Sequence, residues 1–346
     1  MSMKRLLALM VCILLLTSCA ASAETQRYTA SFLDVFDTAS QLVIYADSQE
    51  EANRLAQLIY SELLRYHKLF DQYNDWPQVT GVYEVNQKAA AEPVTVEAEL
   101  FDLLRFAKEM AVLTDGKTNI AMGSVLKLWH QAREDGLNHP ESAYLPDEDA
   151  LKQAAQHTNP DDLVLDEEKG TVFFADPALQ LDLGAIAKGY AVEQVAKMLE
   201  ADGVNGVLLS IGGNVRAIGV RPDGTAFPVG VQNPDLQSEQ NHIAIISLKN
   251  ASLVTSGSYQ RFYTVNGQQY HHIIDPVTLM PARHLWAVSV VTKDSGLADA
   301  LSTALFNLPL EDGQQLIASL PEAEALWVLM DGTLMASDGF QSLMIQ

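Results

Sequence analysis

Thiols are nearly missing from this chain: its 346 residues hold two cysteines, Cys12 and Cys19. Both lie in or beside an N-terminal apolar run, so the remaining chain has no cysteine for a disulfide, a thiolate nucleophile or a thiolate-held metal. Positive charge is also scarce, with 22 Lys+Arg against 44 Asp+Glu and a formal net charge of −22. That balance excludes a nucleic-acid binder, which needs a basic face to neutralise phosphates. An anionic ligand would have to be met locally, by a metal ion, a helix terminus or a placed cation. The apolar run itself, Leu6 to Leu16 (LLALMVCILLL), falls short of the roughly 20 residues a spanning helix requires.

With Lys4-Arg5 before it and small residues after it, that run reads as a targeting segment over residues 1–23, followed by a body over 24–346. Two cleavage readings compete. Leu16-Thr17-Ser18-Cys19 resembles a bacterial lipoprotein box in which Cys19 becomes the lipidated first residue, whereas Ala21-Ser22-Ala23 resembles an ordinary cleavage site before Glu24. The lipoprotein reading gives the cysteine a use, and several acyl chains on it would anchor the protein stably. The body would then face the outside of the inner membrane. The chain is 48% hydrophobic, enough for one large core or two closely joined subdomains.

Periodicity along the body mixes strands and helices without a regular βαβ alternation, the pattern of an α+β fold. Strands are expected at Tyr28–Phe36 and Leu42–Ala46, and helices at Glu50–Phe70, Glu97–Leu113 and Ser124–Arg133. Residues 136–160 are rich in turn formers and acids and read as a surface excursion with a short helix near Asp149–Gln156. The later part is strand-rich, with LVLD from Leu163, TVFF from Thr171, LQLDL from Leu179, VLLSIG from Val207, VRAIG from Val215, HIAIISL from His242 and WAVSVVT from Trp286. Helices Ala185–Glu200 and Ser295–Phe306 interrupt these strands, and Leu326–Met330 turns back through Asp331-Gly332 onto Thr333–Ala336.

Four stretches carry chemistry. In LDLGAIAKGY, a strand-like alternation runs into a helix opening at Gly184-Ala185, and Lys188 falls in its first turn. A lysine beside unpaired N–H groups and the positive end of a helix is misplaced unless an anion sits nearby, which marks a candidate phosphate site. In LADALSTALF, Asp299 and Thr303 are four apart and share one helix face, offering hard oxygens of the kind Mg²⁺ takes. The alternative is that Asp299 only caps the helix and Thr303 bonds back into its own turn. His271 and His272 precede Asp275; adjacent residues on a strand point to opposite faces, so at most one imidazole would serve a site as acid or base. Paired histidines also occur on solvated strand edges. Lastly, Gly212-Gly213 lets the backbone approach a ligand or forms a bulge.

Together, LDLGAIAKGYAVEQVAKML, LLSIGGNVRAIG, VTSGSYQRFY, HHIIDPVTLMPA and LADALSTALFNL resemble the ApbE family, the FAD:protein FMN transferases. LFDQYND with VYEVN around Phe70 to Asn86, and NIAMGSVLKLW at Asn119, extend the resemblance over nearly all of the body. The resemblance implies an α+β, T-fold-like architecture in two closely joined subdomains. It implies an exported, lipid-anchored Mg²⁺ enzyme that moves FMN from FAD onto a threonine or serine of a target protein and releases AMP. Exported flavin-bearing subunits of sodium-pumping or Rnf-type redox complexes are the acceptors it suggests.

Carried onto this sequence, the resemblance implies that Asp182 and Lys188 contact FAD, that Tyr73 lies beside the flavin, and that Lys117, Thr118 and Asn119 run along the ligand. It places magnesium between the Ala185 carbonyl, Asp299 and Thr303, and makes His272 the candidate base. Two positions depart from the family pattern: its Met-Gly-Thr stands here as Phe36-Asp37-Thr38, and a usual Asp stands as Asn119. Two rivals use the same residues differently. A Mg²⁺-dependent FAD pyrophosphatase would admit water and give FMN and AMP; a non-catalytic flavin-binding lipoprotein would need no metal pair.

Overall fold

β1 (Gln26–Val35) and β2 (Thr38–Ala46) pair antiparallel with Val35 opposite Thr38, which leaves only Phe36 and Asp37 to turn the chain. Both have positive φ, 53° and 49°, the backbone of a type I′ hairpin that usually takes Gly or Asn. The computed structural model describes residues 25–345, so Cys12, Cys19 and both cleavage readings lie outside the described residues. Ser48 then starts α1 (Gln49–Phe70) by accepting the Glu51 N–H at 3.2 Å, a cap that contributes about 1 kcal/mol. Glu50 and Glu51 in the first turn, and His67 and Lys68 in the last, suit the helix dipole. The face carrying Leu55, Ile59, Leu63 and Leu69 is buried.

After α1 come α2 (Val82–Lys88), β3 (Val94–Thr95), α3 (Ala98–Leu113), α4 (Gly123–Asn138), α5 (Glu148–Ala154), β4 (Leu163–Asp166) and β5 (Thr171–Phe174). The three short strands form their own sheet in the order β3-β5-β4. LQLDL is not a ladder strand, contrary to its alternation. Leu179, Leu181 and Leu183 are buried as expected, but the only pairing among the described residues is an isolated bridge between Gln180 and Met122. The Asn86 amide replaces a neighbouring strand, accepting from Leu181 N at 2.8 Å and donating to Leu181 O at 2.9 Å.

The following helix, α6 (Ala187–Ala201), begins two residues later than its apolar pattern suggests. Gly184 to Ile186 form a turn in which the Leu183 carbonyl accepts from both Ile186 N and Ala187 N. β6 (Val207–Ile211) and β7 (Asn214–Ile218) then form a hairpin closed by Ile211 opposite Asn214. Gly212 and Gly213, at φ 53° and 92°, make a type I′ turn rather than a bulge. A Cβ on Gly212 would also collide with the Thr38 side chain.

The remaining elements are β8 (Phe227–Gln232), β9 (His242–Leu248), β10 (Ala251–Gly257), β11 (Phe262–Val265), β12 (Gln268–His271), β13 (Leu285–Thr292), α7 (Ser295–Phe306), α8 (Leu310–Ala318), β14 (Glu324–Leu329), β15 (Leu334–Ala336) and α9 (Asp338–Leu343). Eight strands form the main sheet in the order β1-β2-β6-β7-β10-β13-β14-β15, with every neighbour antiparallel. α1 packs on β2, α6 on β7, and α7 on β10 and β13, while α6 also packs on α1 and α7. The fold is α+β. Among the described residues no helix is long and apolar enough to cross a membrane.

Candidate functional site

The start of α6 and the middle of α7 interlock because position 189 has no side chain. A Cβ there would collide with the Ser295 carbonyl and the Asp299 side chain. Close approach lets Gly189 N–H donate to Asp299 Oδ2 at 2.7 Å instead of to the carbonyl one turn back. The Ala185 carbonyl is consequently left without a hydrogen bond among the described residues. Asp299 is 4% exposed, and burial pushes its carboxyl above the usual carboxylate range, against the opposing pull of Lys188 and the Gly189 N–H. Thr303 lies one turn further along the same face, with no hydrogen bond from its hydroxyl among the described residues.

Neither bland reading of this pair survives. Asp294 is the N-cap of α7, accepting from Gly296 N at 2.9 Å and Leu297 N at 3.1 Å, so Asp299 is not the cap. Thr303 does not bond back into its turn either. A buried carboxylate, a free carbonyl and a free hydroxyl are hard oxygen donors, and they suit Mg²⁺. No cluster of three His, Cys, Asp or Glu that could hold a metal occurs among the described residues. An ion here would therefore be held by one carboxylate and neutral oxygens and would need an anionic ligand to complete it.

Lys188 is half-buried in the first turn of α6, near enough to both Asp299 and His272 to bias their protonation. It makes no ion pair among the described residues, although acids outnumber bases two to one, 44 to 22. The misplaced cation thus faces the candidate donors and the imidazole. Lys188→Ala is expected to weaken FAD binding while the melting temperature stays near wild type. Unchanged affinity in a fluorescence titration would reduce Lys188 to a solvated helix residue.

The two histidines are separated by the end of β12. His271, its last residue, is buried against Phe306, donates from Nε2 to Ala282 O at 2.6 Å and accepts from Ile273 N at Nδ1. His272 lies beyond the strand and is exposed. Its Nδ1 is 3.2 Å from the Arg261 carbonyl, which only accepts, so Nδ1 carries the proton and Nε2 keeps its lone pair. Protein packed around the ring, with Arg261, His271 and Lys188 beside it, pushes its pKa down to about 3. The lowered pKa keeps the imidazole neutral, and the residue is partly open to solvent. Asp275 is not free to act as a base: it is buried and paired with Lys117 at 3.0 Å.

Tyr73 sits on a loop drawn tight by Asp71, whose carboxylate accepts from Tyr73 N, Asn74 N, the Asn74 amide and Trp76 Nε1. These donors hold the Asp71 carboxyl below its usual range despite burial. Tyr73 is 51% exposed and stacks on His130 at 4.8 Å, a planar platform open on one side. Arg133 donates to His130 Nδ1 at 3.0 Å. Asp182 faces the same group; burial raises its carboxyl, opposed by its bond from Gly184 N and by Gln72, His130 and Tyr73.

The Lys117–Asn119 segment is held from within. Lys117 is committed to Asp275, Thr118 Oγ1 donates to the α7 carbonyl of Ala300 at 2.6 Å, and the Asn119 amide spans Thr158 O and Ala121 N. Their side chains therefore position backbone and α7 rather than offering free polar groups. A separate hollow of ≈ 620 Å³ lies along the far part of α6, lined by Glu193, Arg216 and Lys197 among others. Its arginine is already paired, to Glu193 at 3.1 Å and Glu200 at 2.9 Å, and none of the candidate residues lines it.

The pattern described for the ApbE family matches residues 36–327, which spans every candidate residue above. The chain belongs to the ApbE family. It is 31% identical to the FAD:protein FMN transferase of Treponema pallidum over 96% of this chain and 93% of the relative. Identity to the enzyme of the same name from Klebsiella pneumoniae is also 31%, over 86% and 87%. The solved ApbE protein of Thermotoga maritima superposes with a TM-score of 0.81 at 30% identity, covering 93% of this chain and all of that one. Within this ApbE chain, sequence reasoning missed Gly189, Asp71 and His130. Asp71 was findable, since an Asp just after a helix with Asn three residues on is an Asx-turn signal. His130 had no local signal.

Proposed function

We propose that the protein transfers FMN from FAD to a threonine or serine hydroxyl of an exported protein and releases AMP, with Mg²⁺ as its resident ion. The observation that carries this reading is the juxtaposition of Lys188, without a carboxylate partner among the described residues, between the buried Asp299 and the neutral His272. The relatives named FAD:protein FMN transferase support it. Tyr73 on His130 offers an aromatic face to the isoalloxazine, and Lys188 with the open first turn of α6 meets the pyrophosphate. His272 Nε2 accepts the acceptor's hydroxyl proton as its oxygen attacks the phosphorus on the FMN side. The phosphoanhydride bond breaks and AMP leaves. Ala185, Asp299 and Thr303 would hold the ion, which supplies neutralisation of charge on the departing phosphate.

Incubation with FAD, Mg²⁺ and a candidate acceptor, followed by intact-mass measurement, is expected to place FMN on the acceptor. Free FMN with an unmodified acceptor would replace transfer by pyrophosphate hydrolysis, and untouched FAD would leave only binding. The site of action follows from the lipoprotein reading of Cys19, which puts the body on the outer face of the inner membrane. Cys19→Ser is expected to move the protein from membranes to the soluble exported fraction; unchanged fractionation rules out the anchor.

A further inference from the structure

Asn214 opens β7 directly after the Gly212-Gly213 turn, paired across to Val254 of β10. It is 2% exposed, and its Nδ2 has no hydrogen-bond partner among the described residues. A buried amide N–H without a partner is costly, so a native chain retains one where something else gains from it. The side chain lies beside Asp299 without closing a bond, and β7 packs on α7 there. One Asp299 oxygen is already occupied by Gly189 N–H.

We propose that Asn214 is a positioning residue for metal binding: its amide N–H donates to the Asp299 carboxylate once an ion draws that side chain into place, fixing its orientation. This rests on the reading of Asp299 as a metal ligand. The turn geometry supports the role. Two residues at positive φ fix the hairpin tip against Thr38, so the amide is carried on a rigid corner of the sheet and not on a mobile loop. Gly189 on α6 and Asn214 on β7 would then grip one carboxylate on α7 from two elements, leaving it one direction in which to present a lone pair. Partners of this kind typically change metal affinity by about 10–100-fold when removed.

The test is Mn²⁺ binding with AMP present, followed by the electron paramagnetic resonance of free Mn²⁺, which needs no turnover. Asn214→Leu keeps the branched shape and removes the donor; Asn214→Ser keeps a shorter donor. The Leu variant is expected to bind Mn²⁺ about 10–100-fold more weakly, and the Ser variant in between, with metal-free melting temperatures near wild type. Wild-type affinity in the Leu variant overturns the proposal while leaving the Asp299 site intact. If the Leu variant fails to melt cooperatively, the Ser variant decides, and wild-type affinity there has the same meaning. A wild-type protein that takes up no Mn²⁺ overturns both this inference and the metal assignment beneath it.

Discussion

Asp299→Asn is expected to abolish transfer, or to raise the Mg²⁺ requirement by more than the ~10–100-fold typical of losing an outer partner, without lowering the melting temperature. The two halves of this result have one cause. The substituted amide keeps an oxygen for the Gly189 N–H, so the α6–α7 contact persists. The carboxylate it replaces is buried and holds its proton more tightly when folded than when unfolded. For a raised carboxyl, stability declines as pH rises above the unfolded value, so at neutral pH the metal-free fold is less stable for carrying this group. Removing the charge relieves it. The metal-free Asp299→Asn protein should therefore melt at or above the wild-type temperature at pH 7. Thr303→Val acts in the same direction on Mg²⁺ but less, because it removes a neutral oxygen. Wild-type magnesium curves in both variants would sink the site. A large loss of melting temperature would return Asp299 to a structural role.

His272→Ala should slow transfer by ~10²–10⁴-fold, the usual cost of losing a proton acceptor, with FAD and metal affinity retained. Its depressed pKa sharpens the expectation. A pKa pushed down to about 3 keeps the ring neutral through the physiological range, so the base is not lost by protonation near pH 6.5. Such a ring is a weak base, and anionic phosphates bound beside Lys188 should raise its pKa toward the working pH. An NMR titration of the ring should show its pKa rising on addition of AMP. The sign for stability is also fixed: a depressed folded pKa means stability held above about 6.5 and lost progressively as pH falls toward 3. His272→Ala should lessen that acid sensitivity. Lost FAD affinity would make His272 a binding residue, and an unchanged rate would remove it from the proton transfer.

Local pattern revealed α7 to the residue, since Leu301 and Leu305 point inward and Asp299 and Thr303 recur at one helical turn. It revealed the burial of Leu179, Leu181 and Leu183 but not what satisfies their backbone, because an alternating stretch reads the same whether a strand or the Asn86 amide lies alongside. The start of α6 slipped for a related reason: Leu183 O takes two N–H groups and closes a turn where the apolar spacing already looks helical. Contacts between distant segments left no trace. The resemblance ran Lys117 along the ligand but gave no sign of its carboxylate partner, Asp275, 158 positions away. The hold on Asp299 comes from Gly189, with the Asn214 side chain beside it, and only three-dimensional packing shows that a glycine and an amide lie near one carboxylate.

The bond from Gly189 to Asp299 spans 110 positions, and the one from Thr118 to Ala300 spans 182. Synthesis runs from the N-terminus, so Tyr73, Asp182 and Lys188 emerge well before α7 does. An incomplete chain has the lysine and the aromatic face but lacks Asp299, the carboxylate proposed to hold the ion. On the proposed mechanism such a chain would be inactive, and competence would arrive only when α7 docks beside α6, late in the polypeptide. For a protein that crosses a membrane before it works, as the lipoprotein reading has it, the order of its own residues acts as a clock.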